Sequence, residues 1–263
     1  MQQPRPLSPR THAKKGACAL CGRYARLTEA HVPPRAAFND GVSRRGRISA
    51  EQRLELDRGR PGGIRVPAHC DACRAETSPW DDEYIKWATF WAEGLVVLEG
   101  HGANGIRATI PGARPGRFIR AALAGMTAVA EGLVGTHPDL IAAIRASDGK
   151  AWEGDRRFLM ALTPPTEGAS VGGMHRGMQI HFSITGTDVR APAPAPSAVI
   201  HHVPLSLLLV DAAIADEYPH VDCTGWLAES AVAAEQDLEL SLPVVRLSSG
   251  TTWQPESFEE AHL

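Results

Sequence analysis

The sequence predicts an α+β protein: a metal-stapled N-terminal module, a helical middle and a C-terminal antiparallel β region. Three observations predict it. Four of the five cysteines fall in two Cys-x-x-Cys pairs, Cys18/Cys21 and Cys70/Cys73. Apolar residues recur at helical spacing from about residue 81 to 145, and beyond residue 155 the period drops to two.

Residues 1–16 mix Pro, Arg, Lys and polar residues without periodicity, which predicts a disordered basic arm. The zinc module is expected over 17–96. Within it, the Arg-rich stretch 41–63 opens and closes with glycines and reads as an insertion, part of it a short helix. Tyr84, Trp87, Ala88, Trp91 and Leu95 then lie on one helical stripe, so a helix of about four turns begins near Asp81. On that stripe Trp87 and Trp91 read as core rather than as base-stacking groups. The region 97–150 reads as helical. One helix runs from about Arg117 to Leu133, and another starts at "THPDL", where Thr136 can cap, Pro138 suits the first turn and Asp139 favours the positive end of the dipole.

Residues 151–263 read as mostly antiparallel β of unassigned function. In "MQIHFSIT", Met178, Ile180, Phe182 and Ile184 alternate with polar residues. "RRFLMALT", "AVIHHVPLSLLLVD" and "LELSLPVVRL" are further strand candidates, with Pro243 pushing the last towards an edge. "RAPAPAPSA", 190–198, reads as an extended linker. The "HHVP" at 201–204 sits in an apolar context and is read as structural, and Cys223 as a buried free thiol.

Composition narrows the function classes. No apolar run approaches the roughly 20 residues of a membrane helix, and the N-terminus has no secretion-type apolar segment, so a cytoplasmic protein with no membrane partner is the expectation. The net charge of −3 hides an asymmetry. Residues 1–65 hold 14 Lys and Arg against 5 Asp and Glu, a balance of +9, which leaves −12 for the remainder. A local basic segment suits phosphate neutralisation, which makes nucleic acid the expected partner, DNA first.

Each Cys-x-x-Cys turn can place two thiolates on one ion, and two such pairs complete a tetrahedral zinc shell at about 2.3 Å per bond. A structural Zn²⁺ held by Cys18, Cys21, Cys70 and Cys73 follows. A redox pair would expect a neighbouring βαβ pattern, which the sequence lacks.

The run "CALCGRYARLTEAHVPPR", followed after the insertion by "CDACRAETSPWDDEYIKWATFWAEGL", resembles the HNH endonucleases, in particular a two-Cys-x-x-Cys subgroup with an Ala-His-Val-Pro-Pro motif. The resemblance covers residues 17–96. It implies a zinc-stapled ββα-metal (treble-clef) fold, hydrolysis of phosphodiester bonds with His31 as general base, and a catalytic Mg²⁺ or Mn²⁺.

Two positions depart from the family pattern. Ala30 stands where a metal-binding side chain usually precedes the base, and Arg74 stands where the family has Asn; a guanidinium cannot bind a cation. Glu29 is one residue off, on the opposite strand face unless a bulge re-aims it. Asp82 and Glu83 occupy the third family position, as cation ligands or simply as acids at a helix N-terminus. His69, beside Cys70, could join such a site. Two explanations stay open: a rearranged active site using His31, Glu29, Asp82 and Glu83, or a degenerate zinc-stabilised module that binds nucleic acid or protein without turnover. Arg35, Arg44, Arg45 and Arg47 suit phosphate contacts, and Arg74 could convert the metal position into a direct phosphate clamp.

Overall fold

The computed structural model describes residues 14–48, 54–56, 60–98, 105–130, 132–164, 170–175, 178–183 and 197–245. In chain order the elements are β1 (Lys15–Ala17), β2 (Tyr24–His31), β3 (Arg44–Ile48), β4 (Leu54–Leu56), β5 (Arg65–Cys70), α1 (Asp71–Thr77), α2 (Asp81–Leu98), β6 (Gly105–Ala113), α3 (Pro115–Val129), α4 (Leu133–Thr136) and α5 (Pro138–Arg145). Then follow β7 (Arg156–Leu162), β8 (Ser170–His175), β9 (Met178–Ser183), β10 (Ala198–His202), β11 (Leu205–Asp211), β12 (Val221–Asp222) and β13 (Gln236–Pro243). The expected mixture of helices and antiparallel sheets is present. Residues 1–13 of the basic arm and the 190–196 part of the linker lie outside the described residues, whereas Lys15 and Gly16, expected in a disordered arm, belong to β1 because β2 pairs with them.

Three sheets form. The N-terminal one has the order β1-β2-β5, with His31 opposite Arg65 and Leu27 opposite Cys70, and its register shifts between Thr28 and Glu29. The large sheet runs β12-β7-β11-β10-β8-β9-β3-β4, and β13 pairs with β6. This arrangement corrects several expectations. The described part of the 41–63 insertion contains strands, not a short helix: β3 pairs with β9 and β4, so the insertion adds itself to the edge of the C-terminal sheet. The 97–150 region is not wholly helical, because β6 intervenes and recruits β13 across more than 100 residues of chain. Thr136 ends α4 and donates to Gly132 O, while His137 precedes Pro138 at the start of α5. Asp139 accepts from Trp152 Nε1 at 2.6 Å.

The helical stripe of α2 behaves as its spacing predicts. Trp87 and Trp91 are fully buried, and Trp87 stacks on Phe118 of α3 with centroids 4.1 Å apart. Helix α3 is the central element, buried along nearly its whole length. Its Arg120, with no exposed surface, donates to the carbonyls of Gly116, Ala146, Leu227 and Glu229. One buried guanidinium thereby satisfies carbonyls from three separate chain segments, which a lysine's ammonium could not do in the same planar geometry. The apolar core is shared: residues of the cysteine-bearing module, α3 and the C-terminal strands form one cluster.

His201 and His202 are structural, as expected. His201 bridges Thr163 Oγ1 (2.9 Å) and Ser206 Oγ (3.1 Å), and Ser206 Oγ also meets His220 Nε2 at 3.0 Å. Burial drives His201 to a pKa of about 3 and His202 to about 4, so both stay neutral. Cys223 is a buried free thiol.

Candidate functional site

The cysteine cluster follows from local chain geometry. Cys18 and Cys21 sit in the tight turn joining β1 to β2, where Gly22 takes φ +70° and its N–H donates to Cys18 O at 2.8 Å. Cys70 ends β5 and Cys73 lies in the first turn of α1. The register that sets Leu27 opposite Cys70 brings the second pair to the first, and all four Sγ atoms lie within 4.8 Å of one another. No disulfide joins them, and Cys70 N–H donates to Cys18 Sγ at 3.3 Å. Burial pushes the Cys18 and Cys73 thiols up. At Cys21 burial is outweighed by the Arg23 side chain, leaving it at about 6. Four close sulfurs, three of them buried, are a costly arrangement for thiols alone and a fitting donor set for a metal ion, which deprotonates its thiols outright.

A second site lies beside the first. A small cleft is lined by Ala30, His31, Pro33, Pro34, His69, Arg74, Thr77, Asp81 and Tyr84, and walled by Ala121, Ala124 and Gly125 of α3 and Ile200 of β10. His31 arrives at its end of β2 half-buried. Val32 N–H donates to Ile64 O at 3.1 Å just beyond it. The loop that follows is held by Asn39, which has no exposed surface: its Nδ2 donates to Pro33 O (2.7 Å) and Ile64 O (3.3 Å), and its Oδ1 accepts from Ile64 N at 2.7 Å. Gly63 (φ +79°) passes so close that a Cβ there would stand 2.1 Å from Asn39 O. His31 is shifted below the usual histidine range, chiefly by burial, so its neutral base form is favoured.

The side chains expected to serve His31 divide sharply. Arg74 and Ala30, the two departures from the family pattern, both line the cleft. Arg74 Nη2 donates to Asp81 Oδ2 at 2.8 Å, and Asp81 is raised by burial against the pull of that guanidinium. Glu29, Asp82 and Glu83 lie elsewhere. Glu29 is exposed and pairs with Arg65 at 3.5 Å; the register shift beside it does not turn it into the cleft. Asp82 faces solvent. Glu83 is buried and its Oε1 accepts from Trp87 Nε1 (2.8 Å) and Arg114 N (2.9 Å), fixing α2 to the start of α3. Among the described residues, the four cysteines are the sole group of three or more His, Cys, Asp or Glu gathered as a metal could use them.

Sequence reasoning missed Asp81, Tyr84 and Asn39. The sequence signal for Asp81 is its place three residues before Tyr84, with Asp82 rotated about 100° from it, but which side of the stripe meets His31 depends on how α2 packs. Glu83 lies four before Trp87, which is the spacing of their hydrogen bond. His69 is 2% exposed, contacts Thr127 Oγ1 through Nε2 at 3.3 Å and is lowered by burial to about 4. Its Nδ1 and the Tyr84 hydroxyl, both on residues of the cleft wall, have no hydrogen-bond partner among the described residues. Arg35 is exposed and close enough to His31 to act on it electrostatically, while Arg44, Arg45 and Arg47 belong to β3 of the large sheet rather than to the β1-β2-β5 sheet.

Among the described residues no helix is long and apolar enough to cross a membrane. Compared with known proteins, the chain matches no family model, and neither a characterised protein nor a solved structure matches it.

Proposed function

We propose that this chain is a zinc-stapled, HNH-like nucleic-acid-binding protein of treble-clef design, whose His31 cleft has exchanged cation binding for an Arg74–Asp81 ion pair. The four-cysteine donor set suits Zn²⁺, which would supply the β1-β2-β5 sheet and α1 with a structural cross-link and take no part in chemistry. The resemblance is supported by one coincidence. Ala30, His31 and Arg74, separated by 43 residues, meet in a single cleft, as the corresponding positions of an HNH site do.

The observation that carries the degenerate reading is the ion pair itself. A guanidinium 2.8 Å from Asp81 occupies that carboxylate and repels a divalent cation, while Glu29, Asp82 and Glu83 are engaged or turned elsewhere. Metal-assisted phosphodiester hydrolysis needs oxygen ligands converging beside the base. The basic first 65 residues retain what binding needs.

The endonuclease reading, with His31 as general base and Mg²⁺ or Mn²⁺ as cofactor, is favoured by one observation: the cleft holds His31, which burial shifts towards its base form, and a carboxylate, Asp81, together. A cleavage assay on single- and double-stranded DNA and RNA, with Mg²⁺, Mn²⁺ or chelator, separates the two. The expected result is binding without cation-dependent cleavage. Cleavage that requires the cation and is lost in His31→Ala would establish the endonuclease instead. The double change Ala30→Asp with Arg74→Asn should create Mn²⁺ binding measurable by calorimetry, because it returns two oxygen ligands to the cleft.

A further inference from the structure

We infer that the outward face of the β1–β2 hairpin is a docking strip for single-stranded nucleic acid, with Tyr24 as the stacking platform and Lys15 and Arg26 as phosphate contacts. The inference rests on the nucleic-acid-binding reading above and gives it a location and a strand preference. Three features of the hairpin support it.

Residues directly opposite on an antiparallel pair share a face, and here Lys15 is opposite Arg26 and Ala17 is opposite Tyr24. Alternation along β1 and β2 puts Lys15, Ala17, Tyr24 and Arg26 on the exposed side, while Gly16, Ala25 and Leu27 turn inward. The strip therefore sets two cations side by side, an arrangement that destabilises an isolated sheet. Among the described residues neither cation has an acidic partner; Glu29, the next acid along β2, is taken by Arg65. Charge that the fold leaves uncompensated in this way fits a polyanion.

The aromatic supplies the strand preference. Tyr24 is 76% exposed, the most exposed large apolar side chain described, and it sits on a strand beside the metal-binding turn rather than on a mobile tip. Its neighbour across the sheet is Ala17, too small to cover the ring. The preceding residue, Arg23, is tied to the cysteine turn, since Cys18 N–H donates to Arg23 O at 2.9 Å, so that turn fixes the backbone that presents Tyr24. A rigid, open ring flanked by cations can stack on an unpaired base while the phosphates meet Lys15 and Arg26; a base inside a duplex offers it no free face.

The test uses the full chain and fluorescence anisotropy with a labelled thymine 20-mer and a 20-base-pair duplex. Wild type should prefer the single strand. Tyr24→Ala should weaken that binding roughly ten-fold and Tyr24→Phe should leave it nearly unchanged, as one base–aromatic stack predicts. Lys15→Ala with Arg26→Ala should flatten the slope of log K against log salt by about 1.4, two contacts at roughly 0.7 each for a single strand. Metal content, measured on each variant, reports that the hairpin is intact. Tight binding unaffected by these changes would overturn the strip and leave the nucleic-acid reading standing. Binding to neither probe would overturn both.

Discussion

The two functional ends of the β2–β5 pair are built differently. At the cysteine end, four ligands converge from two short motifs, and each motif brings its own pair through a tight turn. At the His31 end, the participants come from four separate elements: His31 from β2, Arg74 from α1, Asp81 and Tyr84 from the start of α2, and the far wall from α3. A site whose ligands come in local pairs needs one long-range register to be right, here Leu27 opposite Cys70. A site assembled from separate elements depends on the rotation of each element about its own axis. The cysteine cluster presents four close sulfurs, whereas none of Glu29, Asp82 and Glu83 reaches the cleft.

The largest effect should come from breaking the cysteine end. Cys70→Ser removes one of four donors, and because metal binding is folding free energy for so small a module, the N-terminal sheet should lose cooperative structure along with its metal. Metal analysis with circular dichroism checks it; a variant that keeps both would mean the thiols are not ligands. Next in size is Asn39→Ala at the cleft end. It deletes three hydrogen bonds and strands Ile64 N–H in the interior, so a loss of about 2 to 4 kcal/mol is expected in denaturant melts, with metal content unchanged. Loss of metal in that variant would show that the two ends are coupled.

Glu83→Ala should cost about 1 to 3 kcal/mol, since it leaves the Trp87 indole N–H and Arg114 N–H unsatisfied. If Glu83 were instead a cation ligand, the substitution would alter Mn²⁺ binding and spare stability, which calorimetry distinguishes. The smallest effect concerns pH. Burial lowers His31 in the folded state relative to its unfolded value of 6.5, so the unfolded chain binds the proton more readily. The stabilisation is complete above about pH 6.5 and declines as the pH falls below it. An NMR titration of the His31 imidazole should find a midpoint below 6.5. A higher midpoint would mean that the carboxylate of Asp81 outweighs burial and that the cleft holds an imidazolium.

Much of the fold was readable because it rests on periodicity. The Trp87/Trp91 stripe and the α3 helix follow spacing and the strand Arg156–Leu162 follows its apolar run, whereas the single strand expected within Ala198–Asp211 is a hairpin of two, Ala198–His202 and Leu205–Asp211. The errors fall where a long-range partner overrides local signal. The arginine-rich insertion has glycine brackets and no apolar alternation, yet it forms strands because β9 offers an unpaired edge. The 97–150 region reads as helical, yet β6 within it is extended because β13 completes its ladder.

By itself the sequence determined the two close cysteine pairs, the helical stripe that buries two tryptophans, and the charge imbalance between the first 65 residues and the rest, since each depends only on residue type and near-neighbour spacing. Only the tertiary structure decided which of three adjacent acids faces His31. Consecutive helical positions point about 100° apart, and the packing of Trp87 on Phe118 sets the rotation that turns Asp81 towards the cleft, Asp82 to water and Glu83 into the helix contact.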